Sequence, residues 1–320
     1  MRISAVWMAI TGIFNSHLML ALAIEKFGTA AQKRRWLPPL ASGEIRGGLA
    51  LTEPDAGTDL QGIRTVARRD GDHYVVNGTK SWITNSIEGH ACALLVKTDP
   101  DASPRHRGMT MLIVTKNDPE TGKPMDGIRN GRKLGKLGYR GIDTGEYIFE
   151  DYRCRADLSL VGGEEGQGFM MATGGLEIGR VNVAARGVGI ARRALKEAVR
   201  YAQIRQTMGK PIAQHQAIQT KIGDMAARAR AAELLVEDAA AAYDRGGRVD
   251  LEAGMAKLFA SEAALENATE AMRIHGAYGY SKDFILERLY RDAPLLCIGE
   301  GTNEMQRIII ARQMVARNPA

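Results

Sequence analysis

Residues 216–247, QAIQTKIGDMAARARAAELLVEDAAAAYDRGG, decide the fold class. Within them Ile218, Ile222, Met225, Ala229, Ala232, Val236 and Ala239 recur at alternating steps of four and three. That spacing puts seven apolar side chains on one face of a long helix, which ends near Arg245-Gly246-Gly247. A stripe this long belongs in the core of a helical bundle. Arg186–Gln203, Leu251–Ala271 and Asn303–Val315 supply three more helical segments, so the C-terminal half reads as an antiparallel four-helix bundle.

Toward the N-terminus the texture changes. From Gly47 to Arg155 short β-branched runs alternate with glycine and proline: Tyr74–Val76, Ser81–Thr84, Ala91–Val96, Met109–Thr115 and Glu146–Phe149. Asn77-Gly78 favours the positive φ angles of a tight turn, which predicts a hairpin pairing Tyr74–Val76 with Lys80–Thr84. Asp118–Asp126 reads as a surface loop. Before this region, Ile3–Ile24 predicts one amphipathic helix running on to Phe27. A second helix, Ala30–Leu37, is expected to stop at Pro38-Pro39, where the amide is missing and the ring clashes. Thr11, Asn15, Ser16 and His17 make the first segment too polar for a membrane span, and a signal peptide is its weaker alternative. The fold class is therefore α+β, mainly α: a partial helical domain over 1–46, a central antiparallel β domain over 47–157 and the helical bundle over 158–320.

Composition narrows the function. The 320 residues are 45% hydrophobic and 25% charged, with a net charge of +6 and a pI near 9.2. The basic residues are scattered and form no aromatic-plus-basic cluster, so an anionic small ligand suits the chain better than nucleic acid. Cys92, Cys154 and Cys297 lie far apart without a CxxC pair. That spacing predicts neither disulfide nor metal site and fits a reducing cytoplasm.

Three segments carry candidate chemistry. Leu51–Asp59, LTEPDAGTD, is turn-prone and hydroxyl-bearing, the kind of loop that can cradle a planar ring or a pyrophosphate, although alone it is more often a plain turn. In Lys80–Asn85, KSWITN, period-two alternation puts Trp82 and Thr84 on one face. That is either an aromatic wall beside a hydroxyl or a tryptophan closing a small core. In Ile298–Glu304, IGEGTNE, Glu300 stands between two glycines that leave it open to close approach. Thr302 or Asn303 could cap the helix that follows.

Together these segments resemble the acyl-CoA dehydrogenase family in order and spacing: LTEPDAGTD, KSWITN, RQTMGKP at Arg205–Pro211 and GEGTNEMQR at Gly299–Arg307, with Leu176–Arg180, His215-Gln216, Ile274–Tyr280 and Arg288–Asp292 between them. The resemblance spans essentially the whole chain. It implies an FAD enzyme that desaturates acyl-CoA thioesters, passes electrons to an electron-transfer flavoprotein and assembles as a homodimer or homotetramer. It places Thr52 at the flavin pyrimidine edge, Thr84 at N5 and Trp82 against the ring, with Leu51, Gly57 and Ile83 in the same lining segments. Thr58 falls where the FAD phosphates and the CoA arm pass. Arg205, Thr207 and Gln216 match groups offered to the adenine half of FAD on a neighbouring subunit. Gly276, Gly279, Thr302, Asn303 and Glu304 match further cofactor-lining positions. Glu177, Arg180 and Gly301 match positions beside the substrate. Glu300 matches the catalytic base, with its own N–H polarising the thioester carbonyl; the base of some members sits instead at the position of Gly179.

Departures from the pattern sharpen the expectation. About eighty residues that typical members carry ahead of the first motif are absent here, Met208 replaces a usual phenylalanine, and Gly299 replaces a frequent aromatic, which leaves room for a branched or cyclic acyl group. Two alternatives stand beside the main reading: an acyl-CoA oxidase using oxygen, and an inactive flavoprotein-like scaffold.

Overall fold

The computed structural model describes residues 1–319, the side chain of Leu176 left aside. Its helices are α1 (Arg2–Val6), α2 (Met8–Phe27), α3 (Ala30–Ser42), α4 (Ala156–Ser159), α5 (Gly168–Ile204), α6 (Gln216–Asp244), α7 (Asp250–His275), α8 (Leu286–Asp292), α9 (Pro294–Ile298) and α10 (Asn303–Arg317). Its strands are β1 (Gly47–Ala50), β2 (Val66–Asp70), β3 (His73–Thr84), β4 (Ala91–Lys97), β5 (Met109–Thr115), β6 (Ile128–Lys133), β7 (Thr144–Arg155), β8 (Gln206–Thr207) and β9 (Lys210–Pro211). Two compact units divide the chain: residues 12–135 with 141–176, and residues 1–11 with 136–140 and 177–320.

The first unit is built on a seven-stranded sheet in the order β1-β4-β2-β3-β7-β6, with β5 on the other side of β4. Most pairs are antiparallel; β1 runs parallel to β4, and β2 meets β4 in parallel through Val66 and Lys97. One sheet face buries Tyr74, Val76, Tyr147, Phe149 and Tyr152. Against Ala93, Leu95, Met111 and Ile113 on the other lie Leu20 and Ile24 of α2 and Trp36 and Leu40 of α3. By length and composition α2 could cross a membrane, yet half of its apolar window is buried within the structure.

Three local expectations are corrected. Asn77-Gly78 is not a turn but a bulge within the unbroken β3, where the pairing with β7 shifts between Val76 and Gly78. Asn77 there exchanges two 2.9 Å hydrogen bonds with Asp151 across the bulge. Gly78 adopts φ 145°, and a Cβ on it would lie 2.5 Å from Thr65 Oγ1, so close packing requires its glycine. The hairpin turn is Gly71-Asp72, joining β2 to β3 after Asp70. The helix α3 runs through Pro38 and Pro39 to Ser42. The carbonyls that lose helical donors belong to solvent-facing Arg34 and Arg35, and a Thr29–Gln32 capping box with buried Trp36 and Leu40 holds the rest. The first apolar segment is two helices rather than one. Trp7 is extended between them, its ring 5.4 Å from the Arg288 guanidinium, while Arg288 donates to the Val6 carbonyl at 2.8 Å.

The second unit is the helical bundle. Ala184 and Val188 of α5, Ala232, Val236 and Ala239 of α6, and Ala256, Ala260 and Ala263 of α7 form its core. These small residues let backbones approach closely: a Cβ on Gly187 would stand 2.5 Å from the Ala260 carbonyl oxygen. The predicted stripe is buried from Met225 to Ala239, with Ile218 and Ile222 half-buried. Asn267 ties the helices together, donating to the Ala191 and Met225 carbonyls at 3.3 and 2.9 Å.

Candidate active site

In the sheet unit the structure brings two of the three motifs side by side. Ser81 N–H donates to the Thr52 carbonyl at 2.9 Å, and Lys80 Nζ donates to the Leu51 carbonyl at 2.9 Å. Beneath them is an ion pair the sequence reading missed. Fully buried Lys80 meets Glu53 Oε1 at 2.8 Å, and the same carboxylate accepts the Arg64 and Thr65 N–H groups at 2.6 and 2.9 Å. Burial alone would raise the Glu53 carboxyl, but the Lys80 charge and these hydrogen bonds hold it below its ordinary value. Burial also brings the Lys80 ammonium down to about 8 despite the Glu53 charge. A lysine on a strand among hydroxyl neighbours gave no periodic signal to find it by.

Strict alternation fails along KSWITN, because Lys80 and Ser81 are both buried and the β3–β7 register shifts between Lys80 and Ile83. Trp82 takes φ 61° and is 59% exposed, while Ile83 is buried and Thr84 half-buried. The indole therefore does not close a core. It presents a flat ring to the outside of the sheet unit. Thr52 is half-buried, Leu51 buried, and Gly57 and Thr58 exposed.

In the bundle unit Glu300 lies in the turn between α9 and α10. It adopts φ 57° and Gly301 φ 84°, consecutive left-handed residues that turn the chain sharply. Thr302 is the helix cap, accepting from Met305 N–H at 3.4 Å. Fully buried Lys257 of α7 braces both ends of this turn, donating to the Cys297 carbonyl at 3.2 Å and to Asn303 Oδ1 at 2.8 Å. Ser261 also donates to that oxygen, and Asn303 Nδ2 donates to Glu262 at 3.3 Å. Glu304 is exposed at the start of α10.

The Glu300 carboxylate rests against Gly179 of α5: a Cβ on Gly179 would stand 2.7 Å from Glu300 Oε2 and 3.0 Å from Cδ. Only a residue without a side chain leaves it room. No hydrogen bond to this carboxylate occurs among the described residues. Burial raises the Glu300 carboxyl above its ordinary value, and the charges of Arg186, Arg180 and Lys257 only partly offset that. A carboxylate raised by burial and free of direct partners is poised to take a proton.

Around it, Arg180 pairs with Asp250 at 3.2 Å, and Asp250 also holds Arg248 at 2.5 Å. Glu177 lies 3.9 Å from Arg248; burial and the Asp250 charge raise it. Two residues that the motifs did not single out join the site. Residues 136–140 carry Tyr139, whose N–H donates to Asp292 at 2.6 Å and whose hydroxyl accepts from Arg186 Nη1 at 3.2 Å. Arg205, Thr207 and Gln216 are exposed around the β8–β9 hairpin, whose turn is Met208-Gly209, and Thr207 Oγ1 lies 3.0 Å from His215 Nε2. Gly276 is exposed at φ 61°, whereas buried Gly279 packs where a Cβ would lie 2.2 Å from the Met272 carbonyl oxygen.

Comparison with known proteins agrees with these motifs. Models of the acyl-CoA dehydrogenase N-terminal, middle and C-terminal domains match residues 1–44, 48–152 and 166–315. An acyl-CoA dehydrogenase of Bacillus subtilis (strain 168) is 42% identical over 315 residues, 98% of this chain and 80% of that protein. The mitochondrial short-chain specific acyl-CoA dehydrogenase of Bos taurus is 42% identical over 96% of this chain and 72% of its own length. The structure of butyryl-CoA dehydrogenase from Megasphaera elsdenii superposes with a TM-score of 0.89 at 36% identity, covering 98% of this chain and 78% of that one. With its motifs, its fold and these relatives in agreement, the chain belongs to the acyl-CoA dehydrogenase family of flavoprotein oxidoreductases.

Proposed function

We propose that the protein catalyses FAD-dependent α,β-dehydrogenation of an acyl-CoA thioester, with Glu300 as the base. The observation that carries this reading is the carboxylate seated on Gly179, raised by burial and without a direct hydrogen bond among the described residues. An α-proton beside a thioester is weakly acidic, so its base must be desolvated and held against it. The left-handed turn aims the Glu300 side chain, and the Glu300 N–H serves as donor to the thioester carbonyl. Arg180, Glu177 and Gly301 lie on the substrate side of this reading. FAD, when bound, supplies the two-electron acceptor for the β-hydride.

The groups that would hold the cofactor are Leu51, Thr52, Gly57, Thr58, Trp82, Ile83 and Thr84 in the sheet unit. In the bundle unit they are Gly276, Gly279 and the Thr302–Glu304 helix start. Exposed Arg205, Thr207 and Gln216 are offered to the FAD of a second subunit, in a homodimer or homotetramer. Electrons pass on to an electron-transfer flavoprotein, and the free cysteines suit the cytoplasm. The absence of bulk at Gly299, where a Cβ would meet only Leu295 at 3.4 Å, suits a branched or cyclic acyl group.

Anaerobic titration of the FAD-loaded protein with a panel of acyl-CoA esters should bleach the flavin. Glu300→Gln should bind the same esters and lose about 10²–10⁴-fold in bleaching rate. Bleaching as fast as the parent would remove Glu300 from the mechanism, and peroxide release under air without added acceptor would favour an oxidase.

A further inference from the structure

Arg186 and Tyr139 form a donor pair that nothing in the reaction above uses. Both are almost wholly buried, at 7% and 6% exposure. Arg186 Nη1 donates to the Tyr139 hydroxyl at 3.2 Å, so the hydroxyl oxygen is an acceptor and its own hydrogen is left to donate elsewhere. Arg186 Nη2 is buried with no hydrogen-bond partner among the described residues. Neither hydrogen meets an acceptor among the described residues. Burying such groups unpaired is costly, and a guanidinium more so than a neutral donor.

Their position is informative. Arg186 follows Gly179 by seven residues on α5, two helical turns or about 10 Å along the same face. Helical side chains lean toward the N-terminus, so the guanidinium reaches back toward the carboxylate seated on Gly179. The charge of Arg186 is felt at Glu300, and that of Glu300 at Tyr139, which places all three around one locus. Tyr139 is held there from behind. Its N–H is bound by Asp292, and Gly138 packs where a Cβ would lie 2.2 Å from the Arg291 carbonyl oxygen.

We propose that Arg186 and Tyr139 bind a carboxylate carried on the acyl chain a few carbons beyond the reacting pair, so that the preferred substrates are CoA monothioesters of dicarboxylic acids. This rests on Glu300 being the base. A carboxylate supplies an acceptor for each idle donor and a countercharge for the guanidinium. A plain alkyl chain would leave both donors buried and unmet.

The test measures binding apart from chemistry. In FAD-loaded Glu300→Gln protein, calorimetry compares the CoA monothioester of pentanedioic acid, its methyl ester and pentanoyl-CoA. The free acid should bind at least tenfold more tightly than either of the others. Arg186→Gln should erase about tenfold to a hundredfold of that preference, and Tyr139→Phe, which keeps the ring, about three- to tenfold. Equal affinity for the acid and pentanoyl-CoA, or a preference that survives both substitutions, would overturn the proposal and leave a site filled by water. A methyl ester binding as tightly as the acid would also overturn it. If none of the three binds, the thioester reading itself falls; equal binding sinks only the carboxylate.

Discussion

Glu53, buried in the sheet unit, and Glu300, half-buried in the bundle unit, are carboxylates that their environments push in opposite directions. Glu53 has a lysine at 2.8 Å and two backbone N–H donors, so its proton is held off and its geometry locked. Glu300 has three cations within electrostatic range but no direct hydrogen bond among the described residues, so desolvation outweighs their charges and its proton affinity rises. Glu53 is spent on holding LTEPDAGTD against KSWITN; Glu300 is kept available. What sets the two apart is direct partners: Glu53 is held by three donors, Glu300 by none among the described residues.

The largest effect should come from breaking the satisfied pair. Lys80→Met leaves Glu53 buried without its cation and should cost about 3–5 kcal/mol, read from the urea midpoint. A loss below 1 kcal/mol would show that the two glutamates are less different than their surroundings suggest. Next, Gly179→Ala should drive the Glu300 carboxylate from its seat. We expect kcat/KM to fall about tenfold, while stability stays within ~1 kcal/mol, since alanine favours the helix. Unchanged kcat/KM would mean that the seat is incidental.

Smaller still is a stability change of opposite sign to that of Lys80→Met. Glu300→Gln removes a desolvated charge that has no direct partner among the described residues and should stabilise the protein by about 0.5–2 kcal/mol at pH 7. The pH dependences should diverge as well. The Glu53 contribution is present above the ordinary glutamate pKa and is lost as pH falls through its depressed folded value. For Glu300, raised in the fold, stability is greater below the ordinary value and falls as pH rises through the raised one. As a base it must be unprotonated, so kcat/KM should drop on the acid side at a pH above the usual carboxylate range. Lys257→Met should move that limb higher. A limb that stays put would remove Lys257 from the electrostatics of the site.

The helical stripe of 218–239 and the glycine-flanked Glu300 were legible in the sequence because each depends on local spacing or local crowding. Glu53, Lys80, Tyr139 and Arg186 were not. Each owes its role to partners far along the chain: Lys80 to a loop twenty-seven residues earlier, and Tyr139 to Arg186 across forty-seven. Asn77-Gly78 misled for a related reason. Its turn propensity is real, but pairing with β7 on one side and β2 on the other keeps the strand straight through it. The prolines of α3 likewise fall where water can replace what the helix loses.

The thirty-seven residues of α5 carry Gly179, Arg180 and Arg186 on one uninterrupted rod. A single inserted or deleted residue between 179 and 186 would rotate everything beyond it by about 100°. The guanidinium would swing out of alignment with the carboxylate's seat even if every side chain were retained. This stretch should therefore tolerate substitutions that keep its length and reject any change in residue number, whereas the exposed tip at Met208-Gly209 should accept added residues with little loss of fold.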